Sequence, residues 1–142
     1  MPQSSLRAPV RRALGLALGL AHIGLGLWLV IAPLSFYWAY PGVAETGPFN
    51  AHFMRDIGCA FLVAGMGLAW FAVDRRARAA ALMGAAFLAL HALMHMLDGL
   101  TGRESPAHLV HDLPLLIGIA LAAFWVAWPQ GMSLEPARKA SC

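Results

Sequence analysis

A chain of 142 residues that is 60% hydrophobic and 12% charged is too apolar for a disordered protein and unusual for a water-soluble domain. Its net charge of +3 comes from basic residues in short clusters between apolar runs, a pattern typical of membrane proteins rather than nucleic-acid-binding proteins. The cysteines, Cys59 and Cys142, indicate neither a disulfide framework nor a CxxC motif. Composition therefore predicts one membrane domain over residues 1–142.

Four apolar runs follow one another along the chain, each close to the roughly 20 residues that a spanning helix needs. They cover residues 13–32, 53–73, 79–97 and 109–128. The residues before the first run are basic, but no clean signal-peptide cleavage site follows, so we expect an uncleaved first helix. Short links join the later runs. The sequence predicts an all-α, integral membrane bundle of four helices that run up and down in turn.

Basic residues predict the orientation of this bundle. Most of them lie on one side of a four-pass topology: Arg7, Arg11, Arg12, Arg75, Arg76, Arg78, Arg138 and Lys139. Only Arg103 lies in the opposite loops, and Arg55 lies near the start of the second helix. By the positive-inside rule both termini are expected in the cytoplasm, and the long connection 33–52 is expected outside.

Glycines recur along the first helix at Gly15, Gly19, Gly24 and Gly26. Small residues at such spacings let two membrane helices approach closely. We expect these glycines to serve packing within the bundle rather than a dedicated contact with a second copy of the chain.

Ionisable residues gather toward the outer ends of the predicted helices. His91, His95 and Asp98 are spaced so that they share one stripe of the third helix. Asp56 lies near the start of the second helix, and His111 and Asp112 near the start of the fourth. Ionisable groups within membrane segments are costly, so by default they suggest a function.

The helix dipole separates the three aspartates. Asp56 and Asp112 are expected at helix N-termini, where the dipole stabilises a carboxylate. Asp98 is expected at a helix C-terminus, where the dipole disfavours negative charge. Asp98 should therefore have a cation nearby, for which Arg55, Arg103, a protonated histidine or a metal ion are the candidates.

A transition-metal site is the first interpretation of this cluster. Imidazoles four residues apart on a helix form a chelating pair, and a carboxylate completes a two-histidine, one-carboxylate set. The predicted ligands are His91, His95, Asp56, Asp98, His111 and Asp112. Zinc, iron and copper all accept such ligands.

A haem or quinone site is the second interpretation. His22 lies near the middle of the first helix, from where it could ligate a haem iron opposite His91 or hydrogen-bond to a quinone. The estimated depths of these two histidines differ by roughly 5 Å, which counts against haem. The third interpretation is structural, with histidines capping helix ends and Arg55 pairing with an aspartate. No catalytic triad, phosphate loop or dinucleotide motif is present, so no catalytic residue is assigned.

The stretch from Pro48 to Gly58, with Arg55 opening an apolar helix and Gly58 soon after, resembles small DoxX-like membrane proteins of bacteria. That resemblance implies a four-helix protein of the bacterial inner membrane and a membrane redox complex as partner. The histidines of the third helix are not part of it. The sequence thus predicts a bilayer protein with an outward-facing His/Asp cluster that binds a transition metal. The alternatives are a non-enzymatic accessory subunit of a redox complex and a haem- or quinone-binding protein.

Overall fold

The computed structural model describes residues 3–103 and 106–129, and these residues form helices joined by short connections without any strand. The α-helices are α1 (Gln3–Ile31), α2 (Pro33–Ala39), α3 (Ala51–Val73), α4 (Arg78–Leu100) and α5 (Pro106–Ala127). The expected all-α fold is confirmed. The four long helices match the four predicted runs, although α1 begins at Gln3 rather than at residue 13.

Three segments are long and apolar enough to cross a bilayer: Ala8–Ile31, Ala51–Val73 and Arg75–Leu100. The described apolar stretch of α5 is shorter, Leu113–Ala127. Large apolar side chains cover the outside, and Val63, Met83 and Leu121 are each more than 60% exposed. Such a surface suits lipid and not water. The described part of the chain therefore has the length and surface of an integral membrane protein.

Helices α1 and α3 are antiparallel and touch through their backbones. A Cβ atom added at Gly26 would lie 2.6 Å from the carbonyl oxygen of Gly58, and one added at Gly19 would lie 2.8 Å from that of Gly65. Only glycine permits this approach. The expected packing role is therefore confirmed for Gly19 and Gly26, whereas Gly24 has no neighbour within 4 Å of an added Cβ.

Helix α4 is antiparallel to α3 and also close to it. Added Cβ atoms at Gly67 and Gly84 would lie 2.6 Å and 2.8 Å from the carbonyl oxygens of Ala80 and Ala64. We call the end of the bundle where α1 and α4 begin and α3 and α5 end the terminal end, and the opposite end the loop end. The core between the helices is made of small and aliphatic side chains together with the aromatic rings of Phe36, Phe61 and Phe71. Its most completely buried members are Leu29, Ala64, Leu68, Phe71, Ala81, Ala85, Ala123, Val126 and Ala127.

The connection 33–52 at the loop end is more ordered than the sequence suggests. It contains α2 and a 3-10 turn at Val43–Glu45, and the hydroxyl of Tyr37 donates a hydrogen bond to the carbonyl oxygen of Gly47 at 2.8 Å. The Asn50 side chain then caps α3 by accepting hydrogen bonds from the backbone of His52 and Phe53. This connection fixes the point at which α3 begins.

Candidate imidazole site on helix α4

The site begins with His91 and His95, one turn apart on α4. Their ring centroids are 4.8 Å apart and the rings are almost perpendicular, at 80°. Both side chains are half-buried. The four-residue spacing places the two side chains on one stripe of the helix, so the prediction is confirmed for His91 and His95.

Phe61 of α3 is the ring around which this site is built. It is 6% exposed, and its centroid lies 5.2 Å from the ring of His91 and 5.8 Å from the ring of His22. Phe87 closes the group, at 5.3 Å from Phe61 and 5.9 Å from His91. An unbroken series of ring contacts therefore runs from α1 through α3 to the histidine pair on α4.

Sequence reasoning missed both phenylalanines. Phe87 precedes His91 by four residues, so their contact follows from helical spacing alone. Phe61 comes from another helix, and only the packing of α3 against α4 brings it to His91. Edge and stacked contacts of this kind position imidazole rings without using their nitrogen atoms.

His22 of α1 is buried, at 6% exposure, and its Nδ1 lies 2.7 Å from the carbonyl oxygen of Leu18. Because a carbonyl oxygen only accepts, Nδ1 carries the proton and Nε2 keeps its lone pair in the neutral ring. The rings of His22 and His91 belong to the same cluster, since each contacts the ring of Phe61.

The aspartates have other partners. At the C-terminal end of α4, Asp98 lies 3.4 Å from the guanidinium of Arg103, one of the cations expected for it. Asp56 lies 3.5 Å from the imidazole of His52, and both side chains are largely exposed. Asp98 therefore has its counter-charge in Arg103, and the partner of Asp56 lies outside the imidazole pair.

The expectation that Asp56 and Asp112 lie at helix N-termini is wrong. Helix α3 begins at Ala51 and α5 at Pro106, so neither first turn contains an acidic residue. The dipole effect falls off within that first turn. The physical reason in α3 is that Asn50 takes the capping position, so Asp56 lies in the second turn, where His52 can reach it.

Of the four predicted metal ligands whose side chains the structure describes, His91 and His95 lie together. Among the side chains that the structure describes, no three histidine, cysteine, aspartate or glutamate residues lie close enough to hold a metal ion. The side chains of His111 and Asp112 lie outside the described part. The described site thus offers the imidazole pair of His91 and His95, and the six-residue set stays a prediction.

The opposite face of α4 contacts α5 and has a different character. A groove of about 270 Å³ lies between the two helices. Its lining is apolar throughout: Ala89, Ala92, Leu93, Met96, Ile117, Ala120, Leu121 and Phe124. The imidazole pair therefore belongs to the side of α4 that contacts α3, away from this groove.

No protein-family model, curated protein or solved structure matches this chain. The resemblance to DoxX-like proteins stays a prediction, and the function rests on the geometry of the site.

Proposed function

We propose that this chain is a membrane protein that binds a transition-metal ion through His91 and His95. In the proposed topology α5 also crosses the bilayer, both termini lie in the cytoplasm of a bacterial cell, and the imidazole pair lies in the outward half of the inner membrane. The positive-inside distribution of arginines supports this orientation. The three apolar spans support membrane insertion.

The distance between the two imidazole rings carries the proposal. Metal–nitrogen bonds to histidine are about 2 Å long, so two imidazoles bound tetrahedrally to one ion have ring centroids about 5 Å apart. The rings of His91 and His95 are 4.8 Å apart. Small rotations of the two side chains would therefore direct one nitrogen of each ring at a shared ion, with no movement of α4.

The remaining ligands follow from what surrounds the pair. Phe61 and Phe87 cover His91 with apolar rings and supply no donor atom. Asp98 is engaged by Arg103. We propose that His111 or Asp112 of α5, or a water molecule, completes a site for zinc, copper or iron. A site with an exchangeable water is an open one, which suits an accessory subunit that handles metal for a membrane redox complex.

Metal analysis of purified protein tests this proposal. The protein carries a tag without histidine, is purified in mild detergent, and its zinc, copper and iron are measured per chain. We expect about one ion per chain, retained on dialysis, and its loss in the double variant His91→Ala/His95→Ala. The matched control is His52→Ala, which removes an exposed loop-end histidine and should keep the metal. Equal metal content in all three proteins would refute the proposal.

A haem protein is the second candidate, and the hydrogen bond of His22 favours it. Metal-binding histidines commonly donate their other ring N–H to a backbone carbonyl, as His22 donates to Leu18. Nε2 of His22 would then be the axial ligand, and Phe61 would have to move from between His22 and His91. An absorption spectrum of the protein as purified tests this candidate. A Soret band that disappears in His22→Ala would support it, and a spectrum without that band would eliminate it.

A further inference from the structure

A second group of charged residues lies at the terminal end of the bundle, far along the helices from the imidazole pair. Arg11 of α1 is only 4% exposed. Its Nη2 donates hydrogen bonds to the carbonyl oxygens of Val126 at 2.5 Å and Trp128 at 2.6 Å, where α5 ends. The guanidinium carbon also lies 5.6 Å from the centre of the Trp125 ring.

These contacts leave the charge of Arg11 incompletely satisfied. Its Nε is buried and has no hydrogen-bond partner. The carbonyl oxygens at a helix C-terminus carry only partial negative charge, equivalent to about half an elementary charge for the whole helix end. A buried cation normally has a full counter-charge, because burying an unpaired one is costly.

More positive charge lies beside Arg11. Arg75 and Arg78, from the turn between α3 and α4, are close enough to interact electrostatically with it. The ion pairs in the described part of the chain are Asp56 with His52 and Asp98 with Arg103, and they do not involve these three arginines. Asp74 is the acidic residue of this turn, and its carboxylate accepts a hydrogen bond from the backbone N–H of Arg76.

The packing of α1 on α3 brings Arg11 to this turn. A Cβ atom added at Gly15, one turn after Arg11, would lie 3.3 Å from the Cβ atom of Ala72 near the end of α3. The 3-10 turn Arg75–Ala77 follows α3 and leads directly into α4, and Asp74 caps it. Two exposed arginines and a buried arginine with an unpartnered Nε therefore meet at one end of the bundle.

We propose that the terminal end binds the phosphate group of an anionic phospholipid. Arg75 and Arg78 attract the headgroup and donate hydrogen bonds to its phosphate, and the bound phosphate provides the counter-charge that Arg11 lacks. The acyl chains of the lipid lie along the apolar outer surface of the helices. This proposal does not depend on metal binding at His91 and His95.

Lipid titration of the full chain tests the proposal. Native mass spectrometry of the protein in neutral detergent measures the dissociation constants of phosphatidylglycerol and phosphatidylcholine. Each arginine near an anionic lipid contributes about fivefold to affinity, so Arg75→Gln/Arg78→Gln should weaken phosphatidylglycerol binding by about 25-fold. Phosphatidylcholine binding should change little. These two side chains are exposed, so the variant is expected to fold, unlike a substitution at the buried Arg11.

The matched control is Arg55→Gln/Arg103→Gln, which removes the same charge from exposed positions at the loop end. It should bind phosphatidylglycerol with unchanged affinity. An equal loss in both double variants would mean that net charge alone attracts the lipid, and it would overturn the proposal. Inorganic phosphate is titrated in parallel, and protection against thermal unfolding by phosphate as strong as that by phosphatidylglycerol would assign the site to a free anion instead.

Discussion

The two faces of α4 differ in what they contact and in how closely the neighbouring backbone approaches. On the face toward α3, the rings of Phe87 and His91 pack with Phe61 and His95 packs with His91, and the backbones of the two helices are in close contact at Gly84 and Ala64. On the face toward α5, short and flexible side chains leave a groove of about 270 Å³. On α4, the ionisable side chains of His91 and His95 therefore lie on the face where the backbones pack closely.

Close packing between helices stabilises a membrane protein for a different reason than it stabilises a protein in water. Lipid chains are as apolar as the side chains, so helices associate in a membrane by van der Waals packing and polar contacts rather than by the hydrophobic effect. Backbone contact at Gly84 fixes α4 on α3 and holds its imidazoles in register with Phe61. Helix α5 packs on the other face of α4, where the apolar groove lies.

Removal of the Phe61 ring, which packs on the face of α4 toward α3, should destabilise the protein most. We expect Phe61→Ala to destabilise the protein by about 2–4 kcal/mol, because a buried cavity forms where three rings made contact, while the transfer from water that adds to this cost in soluble proteins is absent. Thermal unfolding in detergent measures the loss. Leu121→Ala is the control, since Leu121 is 65% exposed and its truncation should change stability by less than about 0.5 kcal/mol. Similar losses for both variants would contradict a packed face built on Phe61.

Addition of a single methyl group at Gly84 should have the next largest effect on stability. In Gly84→Ala the new Cβ would lie 2.8 Å from the carbonyl oxygen of Ala64, which forces α3 and α4 apart. We expect a destabilisation of about 1–3 kcal/mol. Gly118→Ala in α5 is the matched control, because no atom lies within 4 Å of its added Cβ. If the two variants unfold at the same temperature, the close approach at Gly84 does not exist.

The face of α4 toward α5 should tolerate a larger side chain, whereas the face toward α3 should not. Ala89 lines the groove and is half-buried, so Ala89→Leu adds side-chain volume where space exists. We expect a change in stability within about 1 kcal/mol, on the stabilising side, because the larger side chain gains contacts with α5. The same unfolding measurement applies. A loss comparable to that of Gly84→Ala would show that the groove is closed in solution.

Local sequence predicts several features of the bundle and of the site on α4, and the other features depend on the fold. Apolar length predicted the four long helices, and the spacing of His91 and His95 predicted a shared stripe, because both depend only on helical periodicity. The need of Asp98 for a cation followed from its place at a helix end, and Arg103 supplies it.

The remaining features depend on contacts between distant parts of the chain. Phe61 reaches His91 only through the packing of α3 on α4. Arg11 looked like a topology signal, whereas its hydrogen bonds to Val126 and Trp128 join the first long helix to the last. The short helix α2 also escaped prediction, since the prolines, glycines and aromatic residues of its connection indicated turns at the membrane surface.

Copper(II) electron paramagnetic resonance on the purified protein tests the central claim most directly. The account predicts nitrogen couplings from two imidazoles at one equivalent of copper, in the unaltered protein and in His52→Ala alike. Both couplings should disappear in His91→Ala/His95→Ala, because in the described part of the chain these are the two histidines whose rings contact each other. An unchanged two-nitrogen spectrum in that double variant would contradict a metal site on α4.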